Sequence, residues 1–121
     1  MIKERKLLLK LVNLNCFMTD ETGSDEIFLM VNDQKIWPVD HKFNTIRPGC
    51  TEISIELKDF DTGTLLEIEI WDFDFLSSND LLGIFPIFLD EPGGPYQTDM
   101  IQNSEKTINA KYSIEWELDY M

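Results

Sequence analysis

One histidine, two cysteines and ten basic residues among 121 leave this chain without the usual equipment for several kinds of chemistry. His41 lies in a polar VDHK stretch, and neither Cys16 nor Cys50 has neighbours that mark a nucleophile, so no catalytic residue is assigned and no enzyme is expected. The cysteine spacing fits neither a metal site nor a disulfide framework, which leaves reduced thiols as the default reading. Ten Lys and Arg stand against twenty-three Asp and Glu, a net charge of −13 that excludes a nucleic-acid surface. Long apolar runs are also missing. MIKERK followed by LLLKLV imitates a leader, but Lys10, Asn13 and Asn15 cut the run too short for export or for a membrane span, and a cytoplasmic protein is expected.

What is present suits one small β domain covering residues 1–121. Hydrophobic residues make up 43 % of the chain, enough for a single core without staples. Leu66, Ile68 and Ile70 alternate with Glu67 and Glu69, Ile53, Ile55 and Leu57 with Glu52, Ser54 and Glu56, and Ile114, Trp116 and Leu118 with polar neighbours. Period-two alternation means one buried and one wet face, and no segment carries a helical period. Strands are expected near residues 7–15, 26–32, 35–38, 51–58, 64–72, 81–89 and 106–119, the last as one strand or two. The class is all-β, an eight-stranded antiparallel sandwich. Asp59, Asp61 and Gly63 fall between two alternating strands and are read as a hairpin turn.

Trp71 to Gly83, WDFDFLSSNDLLG, places Asp72, Asp74 and Asp80 at the end of a strand and across the loop behind it, with no Lys or Arg in the segment. Three converging carboxylates repel one another. A hard cation that takes about six to eight oxygen ligands, calcium above all, is the usual remedy. A solvated acidic turn fits the local composition equally well. An EF-hand does not, since the sixth position is no glycine and no helix flanks the loop. A second acidic segment, DETGSDEIFLMV from Asp20 to Val31, puts Asp20 and Asp25 at another strand junction.

Together the two segments resemble the C2 domain family, the calcium- and phospholipid-binding module of synaptotagmins and conventional protein kinases C. The family's third loop, D-x-D-x-x-x-x-x-D followed by two apolar residues and Gly, is matched in full by Asp72, Asp74, Asp80, Leu81, Leu82 and Gly83. Its first loop is matched by Asp20, Gly23, Ser24 and Asp25 with spacing one residue short and Glu26-Ile27 in place of Pro-Tyr; Glu21 is an alternative to Asp20. KYSIEWELDY, at the C-terminus, looks like the strand that opens the synaptotagmin order, which implies the permuted, phospholipase-type arrangement.

The resemblance implies a C2-like Greek key, two to three Ca²⁺ ions held by Asp20, Asp25, Asp72, Asp74 and Asp80, and a peripheral membrane protein when calcium is bound. Phe75 and Leu76, at the tip of the third loop, are expected to enter the interface of an anionic phospholipid membrane. Phe17 and Met18 either join them or tuck beneath the loops. At net −13 the metal-free protein should be repelled by such a surface, so calcium must act as a switch. Two ions would leave the five loop carboxylates with one negative charge, and a third would make them positive. Gln34-Lys35-Ile36-Trp37 lacks the family's lysine cluster, so no strong inositol-lipid preference is expected. The alternative is a calcium-independent C2-like module that offers its acidic loops to a protein partner.

Overall fold

The computed structural model describes residues 5–121; the leader-like start reaches beyond them into residues 1–4. No helix occurs among the described residues. The strands, in chain order, are β1 (Leu7–Met18), β2 (Asp25–Val31), β3 (Gln34–Trp37), β4 (Asn44–Ile46), β5 (Gly49–Phe60), β6 (Thr64–Asp72), β7 (Asp80–Leu89), β8 (Gly93–Asp99), β9 (Ile101–Gln102) and β10 (Lys111–Tyr120). All pairs are antiparallel. One sheet is ordered β5-β1-β10-β8, the other β3-β2-β6-β7-β9 with β4 added to β2.

The alternation read in the sequence supplies the core. Leu7, Leu9, Leu11 and Leu14 of β1 and Ile114 and Leu118 of β10 face Ile27 and Leu29 of β2, Ile68 and Ile70 of β6, and Phe85 and Ile87 of β7, all of them fully buried. Leu14 breaks the odd-numbered series. A register shift between Leu11 and Asn13 rephases β1 against both neighbours and returns Leu14 to the core. Each such side chain contributes about 1.5–3 kcal/mol by leaving water.

Ten strands replace the eight expected. β4 and β9 are too short to show a period, and β8, GGPYQTD, has no apolar alternation because nearly all of it is exposed at a sheet edge. The last strand starts at Lys111 instead of 106, since residues 103–110 form a connector leaning on the acidic loops. Asp59 to Gly63 do turn, with Gly63 at φ +90° and the Thr64 amide and hydroxyl both donating to the Asp61 carbonyl. The turn is not a hairpin, however, because β5 and β6 belong to different sheets and the chain crosses the sandwich there. Gly83 is needed for space: a Cβ would lie 2.3 Å from the Ile101 carbonyl oxygen, where β7 meets β9.

Candidate functional site

The pairing of β2 with β6 sets Ile27 opposite Asp72, and β6 with β7 sets Asp72 opposite Asp80. Loop 1 (residues 19–24) and loop 3 (residues 73–79) therefore emerge side by side at one end of the sandwich. The 103–110 connector reaches the same end, where the Asn109 amide donates to Asp20 Oδ1 at 2.7 Å and the Lys106 ammonium pairs with Asp80.

Asp25 builds loop 1 from beneath. Its side chain is fully buried and accepts from the backbone amides of Asp20 (2.9 and 3.0 Å) and Glu21 (3.0 Å) and from the Tyr112 hydroxyl (2.6 Å). Burial, then the bond to Asp25, pushes the Tyr112 phenol far above its ordinary range. Asp72 is nearly as buried, at 3 % exposure, but receives a single bond, from the Glu26 amide to Oδ1 at 2.9 Å. Burial first, and then the charges of Glu21, Asp25 and Glu26, push its carboxyl up to about 7 against that one bond. Glu26 is raised in the same way, by burial and then by Glu21 and Asp25.

Among the described residues, Glu21, Glu26 and Asp72 bring carboxylate oxygens within 4.8 Å of one another. Of the five acids singled out in the sequence, only Asp72 belongs to this cluster; Glu21 enters as the alternative to Asp20, and Glu26 was not foreseen. The signal for Glu26 was its place beside Ile27, but using it requires knowing that β2 pairs with β6. Strand β6 ends at Asp72, so alternation does not extend to Asp74. That carboxylate closes its own loop, accepting from the Leu76 amide (2.8 Å), the Ser77 amide (3.2 Å) and the Ser77 hydroxyl (2.8 Å), bonds that hold it below the usual carboxylate range. The local sequence shows no base near Asp80, yet the topology delivers Lys106 to it from 26 residues away.

Phe73, Phe75 and Leu76 line the same hollow as Glu21 and Glu26. Phe75 is 73 % and Leu76 97 % exposed, while Phe17 and Met18 stand in solvent at the end of β1 instead of tucking beneath the loops. The Phe75 ring meets Phe73 and Phe43 edge-on at 5.0 and 5.5 Å, and Phe43 stacks on Phe73 at 5.2 Å, so loop 3 is braced against the residue preceding β4.

No family sequence model matches the chain, and no curated protein does. Solved structures do match. A CC2D1B structure superposes with a TM-score of 0.60 at 16 % identity, over 97 % of this chain and 55 % of that one. The first C2 domain of plant extended synaptotagmin 1 gives 0.54 at 15 % identity, over 96 % and 93 %, and a further C2 domain gives 0.57 at 15 %, over 97 % and 98 %. The fold is that of a C2 domain. The chain spans about half of the CC2D1B structure and nearly the whole of the two isolated C2 domains. In this C2-like fold β1 leads straight into loop 1 and β10 returns beside it, the permuted order that the resemblance implied.

Proposed function

We propose that this C2 domain binds calcium through Glu21, Glu26 and Asp72 and then docks loop 3 on anionic phospholipid. The observation that carries the reading is the convergence of those three carboxylates, Asp72 among them buried and with its carboxyl pushed up by burial and by the charges beside it. The donor set suits the metal: hard oxygens with no basic side chain among them. Asp25 acts from below by fixing the loop 1 backbone, while Asp20, Asp74 and Asp80 already accept from Asn109, from Leu76 and Ser77, and from Lys106, and stand outside the three-carboxylate cluster. Bound calcium would supply positive charge that cancels the repulsion within the cluster and between the loops and an anionic leaflet. Phe75 and Leu76 would then leave water at about 25 cal/mol per Å² of apolar surface. The protein is proposed to be cytoplasmic, peripheral on the membrane when calcium-bound, and not an enzyme.

Isothermal calorimetry with calcium, on the wild type and on Glu26→Gln/Asp72→Asn, tests the metal site; saturable binding lost in the variant is expected. Co-sedimentation with phosphatidylserine vesicles, with and without chelator, tests docking. A second reading rests on the same hydrogen bonds: Asp20, Asp25, Asp74 and Asp80 are already satisfied by protein donors, as suits a calcium-independent protein-binding module. Absence of any calcium heat at millimolar metal would select it.

A further inference from the structure

The two sheets differ on their outer faces. On the β5-β1-β10-β8 sheet the outward cross-strand pairs are polar in nearly every member: Leu8 with Asp119, Lys10 with Glu117, Asn13 with Glu115, Asn15 with Ser113. An antiparallel sandwich ordinarily has such a face on both sides. On the other sheet the outward pairs are Leu65 with Phe88, Glu67 with Pro86, and Glu69 with Ile84, which in turn faces Ile101. Leu65 is 60 % exposed and Phe88 and Ile101 are each 56 % exposed, so the apolar row is open to solvent. At its loop-ward end Trp71 stacks on Phe28 with ring centroids 6.1 Å apart, a rigid aromatic border.

Charge within this row has one sign. Glu67 and Glu69 stand within the row on β6, opposite Pro86 and Ile84, and Glu69 also accepts from Trp71 Nε1 at 3.2 Å. Lys35, opposite Met30 at the edge, turns its ammonium away to the carbonyls of Pro38 and His41. The apolar strip of Phe88, Pro86, Ile84 and Ile101, bordered on β6 by Glu67 and Glu69, calls for an occupant with apolar side chains interleaved with cations. A second copy of this chain fits poorly, because a face-to-face pair would set Glu67 and Glu69 against their own counterparts on chains of net charge −13. The row also begins at the far end of the β6–β7 ladder, where Thr64 faces Leu89, and not at the loop end where Asp72 faces Asp80. We propose that the outer face of β6, β7 and β9 docks an amphipathic segment of a partner protein that carries Lys or Arg beside its apolar residues. This interaction is independent of calcium.

The test uses the whole chain, isotope-labelled, in chelator, titrated with a synthetic helical peptide bearing Leu on one face and Lys on the other. A control peptide keeps every Lys and replaces each Leu by Ser. Amide shifts should centre on Leu65, Ile84, Phe88 and Ile101, the control should bind at least about tenfold more weakly, and Leu65→Ser/Phe88→Ser should lose about tenfold in affinity. Both substituted side chains are exposed, so the variant should fold, which an unchanged spectrum elsewhere would verify. Shifts confined to loops 1 and 3, equal binding of the control, equal binding by the variant, or no binding at all would overturn the proposal. So would Phe88-dependent dimerisation in sedimentation, which gives the face to a second copy, or Phe88-dependent uptake by phosphatidylcholine vesicles in chelator, which gives it to lipid.

Discussion

At pH 8 and without calcium, Asp72→Asn should make this domain more stable. In the wild type the Asp72 carboxyl titrates near 7 in the folded state against an ordinary 3.8. At about 1.4 kcal/mol per pKa unit, that displacement amounts to a folding penalty on the order of 4 kcal/mol once the group is ionised in both states. Asparagine removes the charge and keeps a carbonyl oxygen for the Glu26 amide, so roughly 2–4 kcal/mol should be recovered, several degrees or more in melting temperature. The pH dependence follows from the direction of the shift. Well below pH 3.8 the carboxyl is protonated both folded and unfolded, and the charge penalty is absent. Between about 4 and 7 the unfolded chain releases the proton while the folded one keeps it, so the wild type loses ground, and above 7 the full penalty applies. Urea unfolding followed by tryptophan fluorescence, in chelator at intervals from pH 4 to 8, measures the difference; titrating groups remote from Asp72 cancel between the two proteins, while Glu21, Asp25 and Glu26, whose charges act on Asp72, are relieved with it and add to the gain. An Asn variant that is less stable at pH 8, or a difference that does not grow with pH, would refute the reasoning.

Phe75→Ala/Leu76→Ala should weaken calcium-dependent vesicle binding severalfold while lowering the urea midpoint only slightly, since Leu76 faces water and Phe75, though mostly exposed, gives up its edge contacts with Phe43 and Phe73. Tyr112→Phe removes one of the donors to buried Asp25 and should cost about 1–3 kcal/mol, with faster amide exchange at Asp20 and Glu21 than elsewhere. Gly83→Ala drives a methyl into the Ile101 carbonyl and the Met100 side chain and should cost roughly 1–3 kcal/mol, with the loss of protection concentrated at Gln102 where β9 pairs.

The fold was legible where the alternation was long. β6 buries every second residue from Leu66 to Asp72 and was found at its observed bounds, and β1 up to Leu11 and β10 from Ile114 to Leu118 follow the same period. Strands without that signal went unread: β4 and β9 have too few residues to define a period, and β8 is an edge strand with little to bury. The Asp59–Gly63 turn shows the same limit from another side. Turn chemistry specifies a local reversal, whereas the sheet that receives the next strand is decided by the packing of β6 between β2 and β7. At the site, motif spacing located both loops but not which oxygens converge. Asp25 and Asp72 both read as ligands, and only tertiary contacts separate them: Tyr112, 87 residues away, fills Asp25, while nothing comparable reaches Asp72. Lys106 and Asp80 make the same point, since a base distant in sequence is invisible to a local charge count.

That difference between the two buried carboxylates leads to a final expectation about calcium. Asp25 collects three donor groups, whereas Asp72 has one and lies beside two further acids. A buried carboxylate left so short of donors is stabilised either by a proton or by a cation, and both seek the same oxygens. Protons and calcium should therefore compete at Asp72. Since its carboxyl is pushed up to about 7, calcium affinity should rise about tenfold per pH unit well below 7 and level off above about 7.5. At pH 6.5 binding should release about three-quarters of a proton, which calorimetry in buffers of different ionisation enthalpy reads directly; Asp72→Asn should flatten the profile along with weakening the site. Calcium binding of equal affinity at pH 6 and pH 8, with no proton release, would mean that the ion does not touch Asp72 and that the Glu21, Glu26 and Asp72 cluster is not its site.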